Sequence, residues 1–238
     1  MTPDTPHISS AFDREIDALL AKLTLMSGLV ERALVDSAVA LEAQDTDAAE
    51  RMIRADKDID ALDEQINLDA AGLIARRSPT ASDLRLILAV MRTSSSLERV
   101  GDLAKNVAKR TLPLAQSRQV EGATSTIRRM AKMVAVMLEE AMRALTRKDA
   151  VLAADVRARD LDIDTMYNTL FRSLLTHMLE NQSNITPAMH LHFIAKNIER
   201  AGDHATGIAE QAIYLATGEL PSDARPKAEA LGSTAPKA

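Results

Sequence analysis

The strongest constraint on this chain is that its second half restates its first. Asp56-Lys57-Asp58-Ile59-Asp60 returns as Asp160-Leu161-Asp162-Ile163-Asp164, and Leu97-Glu98-Arg99-Val100-Gly101-Asp102 returns as Ile198-Glu199-Arg200-Ala201-Gly202-Asp203. A tandem duplication is the economical explanation, and it obliges both halves to follow one plan.

That plan is helical. Apolar residues recur at Ile16, Leu19, Leu23, Met26, Val30, Leu34, Ala38 and Leu41 in steps of three and four, which draws a single helical stripe. Asp45-Thr46-Asp47 offers capping oxygens for a second helix through Ile53, Ile59, Leu62, Ile66 and Leu73, which ends at Arg76-Arg77-Ser78-Pro79. A third starts near Ser82 or Asp83 and runs to Leu112-Pro113. The second half repeats the sequence of elements, with Asp149 as the matching cap. The prolines fall at ends and connections, as expected where each one inside a helix costs about 3 kcal/mol. Long helices cannot bury their stripes alone, so the expected fold is all-α. It comprises two tandem antiparallel three-helix bundles over 8–116 and 117–218, followed by a mobile tail over 219–238.

Composition narrows the function. Thirty-four acidic against 29 basic residues give a formal charge of −5, which argues against a general nucleic-acid binder. Without cysteine there is neither a disulfide framework nor a thiolate metal site. The first residues lack a signal-peptide layout, and the longest stretch free of Asp, Glu, Lys and Arg, Asn181 to Ala195, is too polar to span a bilayer. A cytoplasmic protein that meets membranes only through partners is the expectation.

The acids are arranged, not scattered. Residues four apart share a helix face, so Asp56 with Asp60 and Glu98 with Asp102 each present two carboxylates on one side, and Asp160 with Asp164 and Glu199 with Asp203 do the same. Spacing alone is weak, because three further such pairs have no counterpart in the repeat. Placement is stronger. The two first-half pairs are equidistant from the turn proline Pro79, and the two second-half pairs from Asn181-Gln182-Ser183-Asn184, so each hairpin brings four carboxylates to one level. Like charges roughly 5 Å apart repel by about 3 kcal/mol at an effective dielectric near 20, so each cluster must be solvated, protonated, paired or neutralised by a cation. Oxygen ligands suit hard ions such as Mg²⁺, Ca²⁺, Mn²⁺ or ferric iron. The alternative is a solvated acidic face paired with Arg99, Arg200 or neighbouring lysines, and the residues leave both open.

Gly101 and Gly202 interrupt helices at about 1 kcal/mol each against Ala, which points to tight helix packing or to room for a ligand cluster beside the acids. The five histidines assemble no catalytic set, with His204 as a second-sphere residue or a bystander. No Glu is followed three residues later by His, and there is no Gly-rich phosphate loop or nucleophile elbow. A metal-dependent helical enzyme and a metal-free structural adaptor remain as rivals to a regulatory binding module.

Thr80-Ala81-Ser82-Asp83-Leu84-Arg85 leading to Leu97-Glu98-Arg99-Val100-Gly101-Asp102-Leu103-Ala104-Lys105-Asn106 resembles the PhoU family of phosphate-transport regulatory proteins. Lys196-Asn197-Ile198-Glu199-Arg200-Ala201-Gly202-Asp203-His204-Ala205 resembles the matching segment of its second repeat. The likeness spans roughly residues 8 to 218. It implies a non-enzymatic adaptor, active as a homodimer, between a sensor histidine kinase and the ATPase subunit of a phosphate ABC transporter. That adaptor keeps phosphate-starvation genes off when phosphate is plentiful. It also implies multinuclear metal clusters, of iron, manganese or magnesium, on Asp56, Asp60, Glu98 and Asp102 and on Asp160, Asp164, Glu199 and Asp203. Val100 and Ala201 stand where the family commonly has Ile, and Gly207 stands where it often has Asn, whereas Asn106 keeps it in the first repeat. On that difference the first site is expected to bind metal more strongly.

Overall fold

The computed structural model describes residues 6–117 and 120–221, and the side chains from residue 11. Six helices, α1 (Pro6–Ala43), α2 (Thr46–Arg77), α3 (Ala81–Leu114), α4 (Ala123–Arg147), α5 (Ala150–Glu180) and α6 (Ile185–Thr217), account for nearly all of it, with a 3₁₀ turn at Gln182–Asn184. The expected tail lies outside the described residues from 222 onward.

Local chemistry sets the ends. Asp45 Oδ1 accepts the Ala48 N–H at 2.8 Å, and Asp149 Oδ1 accepts those of Val151 and Leu152 at 3.1 and 3.0 Å, each cap worth about 1 kcal/mol. The residues just before them, Gln44 and Lys148, turn the chain at φ 55 and 52. Helix α3 continues one residue past the expected stop, through Pro113 to Leu114, and the Ala115 N–H closes it on the Thr111 carbonyl at 2.9 Å. Pro6 and Pro187 sit in the first turns of α1 and α6, where no N–H is needed.

Helices α1, α2 and α3 close on one another as a bundle, and α4, α5 and α6 as a second, in agreement with the expectation. The repeat extends into the interior: Met26 and Met130, Leu34 and Leu138, Ile59 and Ile163, and Leu97 and Ile198 are equivalent pairs, all buried. The two bundles also pack on each other, α1 against α4 and α3 against α6, so most of the interior is one continuous apolar core.

Both inter-bundle contacts are antiparallel. On α3 and α6, Arg85 meets Gly218, Arg99 reaches His204, and Arg110 lies over Phe193; each step forward on α3 is matched by an equal step back on α6. That register sets Gly101 level with Gly202. On α1 and α4, Arg128 pairs with Glu42 at 2.9 Å, and Glu31 faces Glu139 across a cleft of about 360 Å³.

Burial, and then the Glu139 charge, hold the Glu31 carboxyl above its usual range, although Ser27 Oγ donates to it at 2.7 Å. A raised folded-state value means that this position stabilises the fold most below the unfolded value and loses that contribution as pH rises through the folded one. Glu31→Gln, which keeps the acceptor for Ser27, is therefore expected to raise stability at pH 7, with the gain shrinking as pH falls into the carboxylate range. Urea unfolding at pH 7 and pH 4 checks this; a variant less stable at pH 7 would refute it.

Candidate functional site

Each hairpin does bring its acids to one level, and the glycine of α3 or α6 lies over the deepest of them. A Cβ on Gly101 would meet two Ile59 methyl carbons at 3.2 Å and Asp56 Oδ1 at 3.5 Å. One on Gly202 would meet Asp160 Oδ1 at 3.3 Å and carbons of Ile163 and Val134 at 3.7 Å. These distances bear out the packing reading of the two glycines: the bare backbone admits the neighbouring helix to a point where a Cβ would already be crowded.

In the first cluster Asp56 is 4% exposed, Glu98 and Asp102 are half-buried, and Asp60 is at the rim. Lys105 Nζ lies 2.5 Å from Asp56 Oδ2 and 3.4 Å from Asp102 Oδ1, and the carboxylates raise its pKa above the usual lysine range. Arg99 approaches Glu98 at 3.4 Å and Asp102 at 3.9 Å from a more exposed position. One lysine does not balance the group. Partial desolvation, and then the charges of Asp56, Asp102 and Asp63, push Asp60 upward against the opposing effect of Lys105. Desolvation likewise raises Glu98, with Arg99 opposing and Asp102, Asp63 and Asp60 adding.

In the second cluster Asp160 is 2% and Glu199 8% exposed, while Asp164 and Asp203 are half-buried. Lys196 Nζ holds Glu199 Oε1 at 2.7 Å and lies 5.2 Å from the Tyr167 ring centre. The other oxygen, Glu199 Oε2, is buried without a hydrogen-bond partner. Desolvation holds His204 below the usual imidazole range, with Asp203 opposing and Arg200 and Arg99 adding, so it is neutral at pH 7. Asn106 is exposed, and Gly207 faces open space.

Among the described residues no three His, Asp or Glu side chains converge closely enough to hold a metal ion as they stand. The donors nevertheless suit a hard cation: all are carboxylate oxygens, two lie under bare glycine backbone, and a buried Glu199 oxygen lacks a donor. A cation would compete with Lys105 in one cluster and Lys196 in the other. The expected pairing with neighbouring lysines is present in both clusters, from positions three residues after Asp102 and three before Glu199 that are not equivalent in the repeat.

The repeat geometry coincides with a known domain: the family model described as PhoU domain matches residues 23–111 and again residues 127–212. The chain belongs to the PhoU family. A PhoU homologue of Rhizobium meliloti, named a phosphate-specific transport system accessory protein, is 44% identical over 93% of this chain and 93% of its own. One from Caulobacter vibrioides, with the same name, is 39% identical over 95% and 99%. The crystal structure of PhoU from Pseudomonas aeruginosa superposes with a TM-score of 0.84 at 35% identity, covering 87% of this chain and all of that one. The phosphate transport system regulatory protein PhoU from Streptococcus pneumoniae superposes at 0.81 and 30%, covering 88% and 99%. None of the described helices is long and apolar enough to cross a membrane.

Proposed function

We propose that this PhoU-family chain regulates phosphate uptake and the phosphate-starvation response by contact. It would act as an adaptor between the ATPase subunit of a phosphate ABC transporter and a sensor histidine kinase, reaching the membrane through them and keeping the response off when phosphate is plentiful. The observation that supports this most is the 44% identity, over 93% of both chains, with a phosphate-specific transport system accessory protein. Deletion is therefore expected to derepress phosphate-scavenging genes in rich phosphate, read with a reporter. A reporter that stays silent at high phosphate in the deletion strain would overturn the assignment.

The reading extends to bound cations. Asp56, Asp60, Glu98 and Asp102 would hold one site, and Asp160, Asp164, Glu199 and Asp203 the other, with iron, manganese or magnesium as the hard ion. Bound there, a cation supplies charge neutralisation that ties α2 to α3 and α5 to α6. What supports this is that partial desolvation, reinforced by the neighbouring carboxylates, raises the carboxyls of Asp60 and Glu98. A metal-free adaptor is the second reading, favoured by the 2.5 Å Lys105–Asp56 contact, in which the lysine is itself the counter-ion.

A further inference from the structure

The duplication provides an internal control for what the fold requires. Along α5, Tyr167, Phe171, Leu175 and Leu179 recur every fourth residue on one face. Their counterparts on α2 are Asp63, Asn67, Ala71 and Ala75, polar or small. Tyr167 packs partly against the core, but both helices make the same hairpin on the same scaffold, so the rest of the α5 stripe is not a requirement of folding.

Nor is the stripe hidden. Leu175 is 41% and Leu179 89% exposed, and beside them α6 shows Ile185 at 44%, Met189 at 38% and Phe193 at 42%. Single exposed apolar residues are ordinary, whereas a contiguous set on one hairpin is not. The aromatics gather there too. Of five phenylalanines and tyrosines in the chain, three surround His192: Phe171 at 4.8 Å, Phe193 at 5.6 Å and Tyr167 at 5.9 Å between ring centres. Arg110 of α3 lies 4.5 Å over the Phe193 ring. Rigid aromatics, methionine and arginine at the middle of an apolar patch are the composition of an interface core.

Charge selects the occupant. Arg110 and Arg172 rim the face, Lys196 and Glu199 pair with each other at 2.7 Å, and Glu180 stands beyond Leu179 at the turn end of the hairpin. A second copy of the chain seated here by a twofold axis would bring together two faces with the same cationic rim. We propose that the outer face of the α5–α6 hairpin is a docking surface for a partner protein's acidic segment, one that places apolar side chains among Phe171, Leu179, Met189 and Phe193 and its carboxylates against Arg110 and Arg172. This rests on the contact-adaptor reading and assigns that contact to the second repeat.

The test measures binding of the full-length chain to the phosphate transporter and to the sensor kinase, each purified in nanodiscs of neutral lipid, by biolayer interferometry. Leu179→Ser with Met189→Ser is compared with Leu68→Ser with Leu88→Ser, a first-repeat pair that is likewise exposed, by 67% and 40%. The α5–α6 pair is expected to weaken binding to one partner by at least about tenfold, the scale of a hot-spot loss, and the first-repeat pair by less than about twofold. Arg172→Glu is expected to weaken the same partner, and added salt to weaken the wild type. If the wild type binds neither partner, the adaptor reading falls and this proposal with it. If the wild type binds and both pairs weaken it equally or not at all, the adaptor stands and the surface assignment falls. Loss of binding to phosphatidylglycerol vesicles alone, or of self-association alone, in the α5–α6 variant would overturn the proposal in favour of a membrane or a second copy.

Discussion

Replacing Lys105 by Ala is expected to lower stability in the absence of metal and to raise the affinity for it. In chelated buffer the variant should lose about 2 kcal/mol, because Asp56, 4% exposed, is left with its charge unpaired; breaking a fully buried pair costs more, but the Lys105 side chain is 25% exposed. With saturating Mn²⁺ most of that deficit should disappear, because a tenfold gain in affinity is worth about 1.4 kcal/mol. A cation entering the wild type must displace the ammonium from Asp56 Oδ2, whereas in the variant that oxygen is free, so affinity should rise by about tenfold or more given the Coulomb energies at this range. Urea unfolding with and without Mn²⁺, together with calorimetric titration, decides. Unchanged stability in chelator would show that the pair is not structural, and Mn²⁺ binding no tighter than in the wild type would show that the lysine does not occupy the cation's place.

Gly101→Val should be the most damaging single substitution at the α2–α3 contact. Even a Cβ lies 3.2 Å from two Ile59 methyl carbons, and Ile59 is 3% exposed with no space to retreat, so two further methyls force the helices apart. A loss of about 3 kcal/mol is expected, after allowance for helix propensity that valine regains over glycine. Gly28→Ala is the opposite case: its Cβ would meet nothing within 4 Å, so the propensity gain of roughly 1 kcal/mol should appear as added stability. Denaturant melts of both variants check this. A Gly101→Val protein as stable as the wild type would mean that the helices are not held at this point.

Much of the molecule is legible in its letters because the repeat states each element twice. The helices, the capping role of Asp45 and Asp149, and the common level of the carboxylates all follow from spacing. The merging of the two bundles does not, since α1 buries more than the stripe that periodicity draws: Leu20, Leu29 and Ala33 also pack partly against the core. The partners of the carboxylates were less legible than the carboxylates themselves. A lysine side chain is long enough to reach several positions, and which of the charges it meets is settled by Asp56 and Glu199 being deep. The aromatic face escaped for a different reason: Tyr167, Phe171 and Phe193 are conventional core residues by type, and what sets them apart is the 42% exposure of Phe193 and the polar Asp63 and Asn67 at the first-repeat positions that match Tyr167 and Phe171.

The antiparallel register of α3 on α6, with Gly101 level with Gly202, has the geometry of an isologous dimer interface held inside one polypeptide. Covalent fusion replaces a concentration-dependent association with an intramolecular one, at an effective concentration on the order of millimolar for a short linker. Halves that need not find each other need not stay identical. The core positions that keep the halves together remain under joint constraint, while each outer hairpin can acquire its own surface, so that a pseudo-symmetric body can carry a polar flank on one side and an aromatic one on the other.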